Sequence, residues 1–186
     1  MKMPLRICLC GFGGQGIILS AVVLGTAAVT RGGLYAVQTQ SYGSEARGGQ
    51  CQAELIISSK PIASPVAEKK NLLVCMFQEA HDKYIGALEE GGILVVDSGL
   101  VPRPGRTGEN CFRIPATEIA ISLGNKMAAN MVMLGFLSAC CDLVDANDLK
   151  ATIAEQVSPR FVELNLKAAD AGIAYARENG LHVAEQ

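Results

Sequence analysis

The segment Gly11-Phe12-Gly13-Gly14-Gln15-Gly16 constrains this chain more than any other. It follows the apolar run Leu5 to Cys10 and precedes Ile17 to Thr30, a helical pattern closed by Gly32-Gly33. A buried strand, a tight glycine turn and a helix are the opening of a βαβ unit. Gly11 would permit the tight turn, Gly13 and Gly14 the close approach of a ligand or another backbone, and Gly16 the packing of helix on strand. The spacing fits G-x-G-x-x-G, in which backbone N–H groups and the helix dipole favour an anion. A closely packed crossover with no ligand needs the same glycines.

The rest of the chain continues in that rhythm. Leu34 to Thr39 reads as a second strand and Gln40 to Gln50 as a polar loop. Cys51 to Ser58 alternates as a strand near a sheet edge. Leu72 to Phe77 and Ile93 to Asp97 read as buried strands flanking an amphipathic helix, Glu79 to Leu88, closed by Gly91-Gly92. After the glycine- and proline-rich loop Ser98 to Asn110 and a brief strand, Cys111 to Ile114, only helical patterns remain: Ala116 to Ser122, Lys126 to Cys141, Ala146 to Gln156 and Arg160 to Glu178. In the last of these Phe161, Leu164, Ala168, Ala171 and Tyr175 form the expected packing stripe. The 186 residues fit one domain, 1–186, of α/β class: a three-layer Rossmann-like fold with a largely parallel sheet and additional C-terminal helices.

Composition narrows the function. A net charge of −2, with Lys and Arg scattered, gives no basic face for nucleic acid or acidic lipid. With 49% apolar and only 18% charged residues, the chain is expected to hide further surface against other subunits. The apolar stretch Ile7 to Cys10 is too short for a signal sequence, and Met127 to Cys141 is too short to span a bilayer, so a cytoplasmic location is expected. The seven cysteines include no C-x-x-C, and most lie in strand-like runs where a free thiol packs as a small apolar group. Only His81 and His182 could join them at zinc, so neither a metal centre nor a catalytic residue is expected in this chain.

A dinucleotide enzyme would carry Asp or Glu at the end of the second strand to hold ribose hydroxyls. That stretch reads Tyr35-Ala36-Val37-Gln38-Thr39-Gln40, which argues against a nicotinamide while leaving a phosphate site open. Beyond it comes Ser41-Tyr42-Gly43-Ser44-Glu45-Ala46-Arg47-Gly48-Gly49-Gln50, placed where open α/β sheets bind ligands or partners. Its guanidinium, hydroxyls, carboxylate and pliant backbone suit an anionic group or a neighbouring chain. Alternatively, Glu45 and Arg47 pair with each other in a solvated loop.

These segments carry a resemblance. The sequence resembles the gamma subunit, or domain III, of the 2-oxoacid:ferredoxin oxidoreductases, in the glycine turn, in Gln40 to Gly49, and in Pro115-Ala116-Thr117-Glu118-Ile119-Ala120 with Gly124-Asn125-Lys126 and Asn130-Met131-Val132-Met133-Leu134-Gly135. The similarity extends over essentially the whole chain, and overall it leans toward the 2-oxoglutarate type over those acting on pyruvate, branched-chain oxoacids or indolepyruvate.

What the resemblance implies is a complex that oxidatively decarboxylates a 2-oxoacid to an acyl-coenzyme A and reduces ferredoxin. Thiamine diphosphate would lie between alpha and beta catalytic subunits, magnesium, iron-sulfur clusters and coenzyme A would be bound in the complex, and a ferredoxin-like delta subunit is a further expected partner. No such cofactor would be held by this chain alone. Gly11, Gly13, Gly14, Gln15 and Gly16 with Ser41, Tyr42, Gly43, Ser44, Glu45, Arg47 and Gly48 are the candidates for shaping the coenzyme A entrance and docking the catalytic subunits. Two other readings remain: a stand-alone nucleotide- or flavin-binding oxidoreductase, and a purely structural subunit.

Overall fold

A computed structural model describes residues 3–42, 49–105, 108 and 110–183. Its strands are β1 (Leu5–Phe12), β2 (Tyr35–Tyr42), β3 (Gln50–Ser58), β4 (Lys70–Cys75), β5 (Leu88–Asp97) and β6 (Cys111–Ile114). Its helices are α1 (Ile17–Thr30), α2 (Gln78–Tyr84), α3 (Ala116–Ser122), α4 (Ala129–Cys141), α5 (Ala146–Gln156) and α6 (Val162–Glu178). The strands form one sheet in the order β2-β3-β1-β4-β5-β6. From β1 through β4 and β5 to β6 every pair is parallel, whereas β3 is antiparallel to both β1 and β2. β3 alone therefore runs against the other strands, and the sheet is largely parallel.

β3 lies near the sheet edge, as expected. It is second from it, between β1 and the edge strand β2, so the crossover through α1 skips one strand position and the β2–β3 hairpin fills the gap. Its alternation is as expected: Ala53, Leu55 and Ile57 are buried in the larger core while Gln52 and Glu54 are half-buried on the other face. Strand pairing is decided by distant partners, and local alternation is silent about it.

Two expectations shift. The helix after β4 ends at Tyr84, followed by a single 3-10 turn, Ile85–Ala87; Leu88 pairs with Lys70 and already belongs to β5. Burial of Leu88 in the core beneath α2 outweighs continuing a helix across Gly86. In α6 the buried face is Ala168, Ala169, Gly172, Ile173 and Ala176, while Phe161 lies outside the helix and is exposed. Small residues define that face because α4 crosses there in backbone contact: a Cβ on Gly135 would overlap the Ala169 carbonyl, and one on Gly172 the Val132 carbonyl.

The two faces of the sheet are covered unequally. Residues of α1, α3, α4, α5 and α6 join Ile7, Leu9, Leu72 and Val74 in one large core. On the opposite face Cys8, Cys10, Leu73, Cys75, Leu94 and Val96 form a smaller core with Ala80 of α2, Leu88 and Val101, against which Tyr84, Ile85 and Cys111 pack. All seven cysteines are free thiols. Hydrogen bonding to Cys10 and burial push the Cys8 thiol up, and burial does the same to Cys10 and Cys51. Such thiols pack and do not react. Among the described residues, no helix is long and apolar enough to cross a membrane.

Candidate functional site

At the carboxyl edge of the sheet β1 runs on through Gly11 to Phe12, so Gly11 ends a strand and is not the tight turn that its place in the motif suggests. It must be glycine for another reason. A Cβ there would lie 2.5 Å from Oε1 of Gln15 and 2.8 Å from Cδ1 of Ile17. That space is taken by the Gln15 amide, which accepts from the Phe12 N–H at 2.6 Å and donates to the Met76 carbonyl at 2.8 Å. Gln15 thereby latches the end of β1 to the chain leaving β4.

Gly14 and Gly16 have φ of 95° and 72°, which glycine adopts without steric cost. Gly16 precedes α1, and a Cβ on it would strike the Asn130 side chain of α4 rather than the strand expected from the motif. Asn130 is only 3% exposed and donates through Nδ2 to the Gly16 carbonyl at 3.3 Å. Asn130 is thus a buried polar group in a largely apolar helix, and nothing in the local sequence identifies its partner. Asn125 accepts from the Met127 N–H at 2.9 Å and caps the 3-10 turn before α4.

The turn's N–H groups divide into two sets. Gly13 donates to the Gly49 carbonyl at 2.9 Å and Gln15 to Phe12 at 3.1 Å. Gly14 and Gly16 have no such partner among the described residues, and α1 starts with neither a side-chain cap nor an acid in its first turn. The first N–H groups of a helix have no helical acceptor and carry the positive end of its dipole. The arrangement is electrostatically suited to an anion, with fewer free donors than the bare motif implies.

The Gly13 to Gly49 bond joins the turn to the second candidate segment. Ser41 and Tyr42 close β2 at this same edge, their backbones paired with Gln52 and Cys51. Gly43, Ser44, Glu45, Arg47 and Gly48 fall outside the described residues. Because β3 separates β2 from β1, the end of β2 stands two strand spacings, roughly 10 Å, from the glycine turn. In a dinucleotide fold these two strands are neighbours, so both the missing carboxylate and the insertion of β3 depart from that geometry.

Sequence reasoning included Phe12 and Gln50 in the candidate segments but missed the contacts by which they brace this edge, and it missed Asp97. Phe12, 36% exposed, packs against Phe77 in a tilted arrangement with ring centroids 5.4 Å apart, and Gln50 donates to the Glu79 carbonyl at 3.4 Å. Asp97, fully buried at the end of β5, accepts from Gly99 N–H at 3.0 Å and from the N–H and hydroxyl of Thr117 at 2.9 and 2.6 Å. Its place at the end of an apolar strand, two residues before Gly99, was the available signal, since such an acid commonly caps nearby backbone. Among the described residues no group of three or more His, Cys, Asp or Glu is placed to hold a metal ion.

With this geometry in view, comparison with known proteins is decisive at the level of family. Residues 6–175 match the model of the family described as pyruvate ferredoxin/flavodoxin oxidoreductase. The 2-oxoglutarate synthase subunit KorC of Methanocaldococcus jannaschii is 41% identical over 181 residues, which are 96% of this chain and 97% of that protein. The crystal structure of a keto/oxoacid ferredoxin oxidoreductase gamma subunit from Geobacter sulfurreducens has a TM-score of 0.85 at 35% identity, covering 95% of this chain and 98% of that one. The 2-oxoglutarate:ferredoxin oxidoreductase of Magnetococcus marinus, with 2-oxoglutarate, coenzyme A and succinyl-CoA bound, contains the same fold (TM-score 0.86, 26% identity) in a longer chain, 32% of which is covered. The chain belongs to the pyruvate ferredoxin/flavodoxin oxidoreductase family.

Proposed function

We propose that this chain is the accessory gamma subunit of a 2-oxoacid:ferredoxin oxidoreductase of the 2-oxoglutarate type, which converts a 2-oxoacid and coenzyme A to an acyl-coenzyme A and carbon dioxide and reduces ferredoxin. The observation that carries this reading is the end-to-end similarity to KorC, a 2-oxoglutarate synthase subunit. It acts in the cytoplasm with alpha and beta catalytic subunits, and a ferredoxin-like delta subunit where one is present. Thiamine diphosphate, magnesium and the iron-sulfur clusters belong to those partners. A stand-alone dinucleotide enzyme is disfavoured by the β3 insertion and by the lack of an acidic residue anywhere in β2, Tyr35–Tyr42.

Within the complex, the carboxyl edge from Gly11 to Gly16 together with Ser41 to Gln50 borders the coenzyme A entrance. The free N–H groups of Gly14 and Gly16 and the uncapped start of α1 suit a phosphate of the coenzyme, while Gln15 and Gly13 hold the cradle in shape. Arg47 would add a forked cation to the same edge.

Arg47→Ala in the assembled complex tests this assignment. Loss of one charge-assisted contact should raise the KM for coenzyme A about tenfold with kcat nearly unchanged. An unchanged KM in an intact complex would remove Arg47 from coenzyme A binding, and loss of co-purification with the catalytic subunits would assign it to docking instead.

A further inference from the structure

The two edges of the sheet are finished differently. β6, at one end, is four residues long and carries Arg113, the short and charged form in which exposed edges usually occur. β2, at the other end, is eight residues long, Tyr35-Ala36-Val37-Gln38-Thr39-Gln40-Ser41-Tyr42, with no charge and no proline. It pairs with β3 from Tyr35↔Ser58 to Tyr42↔Cys51 without a bulge, and among the described residues no strand pairs its outer side. An antiparallel edge strand turns the N–H and C=O groups of every second residue outward. β2 therefore presents an unbroken, neutral row of donors and acceptors to any strand that meets it.

The helix above it continues the same surface. None of the 14 residues of α1 is charged, in a chain of which 18% is charged. Its inner side, including Ile17, Ala21, Leu24 and Ala28, is buried in the larger core. Val22 and Val29 stand one helical turn to either side of Gly25, and a Cβ on Gly25 would lie 3.8 Å from that of Ala36 in β2. That line of the helix runs along the edge strand, where Val22 is half-buried and Val29 is 44% exposed. Edge and helix flank together offer hydrogen bonds and apolar area, but no charge by which to select a different protein.

Such a surface is complementary to itself. Antiparallel pairing of a strand with its own copy sets residues of one face opposite each other, with the two-fold axis passing through one residue. About Gln38 the cross-strand pairs are Val37 with Thr39 and Ala36 with Gln40; about Thr39 they are Gln38 with Gln40 and Val37 with Ser41. In neither register do like charges meet, the clash that would oppose a strand's pairing with itself.

We propose that two copies of this chain join through β2 and the adjoining flank of α1 into a two-fold dimer, in which their six-stranded sheets merge into one. Because the joined strands are antiparallel, the two carboxyl edges open at opposite ends of the merged sheet, and both glycine turns stay free. The dimer does not depend on the coenzyme A assignment.

Sedimentation velocity of the full chain at rising concentration should show it passing to twice the monomer mass. Amide exchange locates the contact: every second N–H from Tyr35 to Tyr42, the set not bonded to β3, should gain protection as the concentration rises. Thr39→Lys and Val29→Lys, at half-buried and exposed positions, place a charge on the strand and on the helix flank. Each should weaken the dimer about tenfold while the far-ultraviolet circular dichroism stays that of the parent. A chain that remains monomeric, or a dimer indifferent to both substitutions, overturns the proposal. So does protection of β2 in an assembled complex that holds one copy of the chain, since a catalytic subunit would then occupy the edge.

Discussion

At the carboxyl edge of the sheet, Gly11 and Gly16 leave room for the side-chain amides of Gln15 and Asn130; in the helical layer, Gly135 and Gly172 leave room for the backbone of the facing helix. The two regions look alike in sequence, as glycines beside apolar residues, and differ in what fills the space. A side chain can rotate away at modest cost. A helix backbone moves only as a unit, carrying its packed neighbours with it. The edge is therefore polar, latched by individual hydrogen bonds and adjustable, whereas the α4–α6 crossing is apolar and rigid.

The sharpest way to break that contrast is Gly172→Ala. The added methyl would strike the Val132 carbonyl and the Phe136 N–H with no flexible atom to yield, and should cost about 3 kcal/mol. A denaturant midpoint within error of the parent would show that the helices are not in obligatory backbone contact. Gln15→Ala comes next. It leaves the Phe12 N–H and the Met76 carbonyl without their partner, for roughly 1–2 kcal/mol, since water reaches this edge. A loss as large as that of Gly172→Ala would mean that the edge is as rigid as the crossing.

The smallest effect belongs to a pair outside both regions. Glu163 is lowered from the usual carboxylate range by its bond and charge interaction with Lys167, one helical turn away on the surface of α6. A depressed acid contributes stability above its unfolded value and loses it as pH falls through the folded one. Glu163→Gln should therefore lower the urea midpoint barely at neutral pH and not at all in acid. A clear drop at neutral pH would show that surface charge on α6 reinforces the crossing.

Much of the fold was legible because it is local. α1, α3, α5 and β6 have the bounds that their apolar spacing, glycines and prolines imply. What was not legible depends on distant partners. β3 reads correctly as a half-buried strand, but its slot beside β1 follows from the crossover through α1, which no local pattern reports. The stripe proposed for α6 favoured large residues, and the face is set by small ones because α4 approaches so closely. In the candidate site the motif located the glycines, while their reasons lay with Gln15 and Asn130. The latter is 114 residues from Gly16.

The insertion of β3 has one more consequence. Because β2 and β3 form a hairpin, the segment joining them leaves and re-enters the sheet at the same edge, and the register between Tyr35–Tyr42 and Gln50–Ser58 is fixed by strand pairs below it. Residues can be added to or removed from that tip for little entropic cost and without disturbing the crossover that holds the glycine turn. The architecture thus gives the two halves of the edge different supports, the glycine turn being held by the crossover through α1 and the hairpin by its two paired strands.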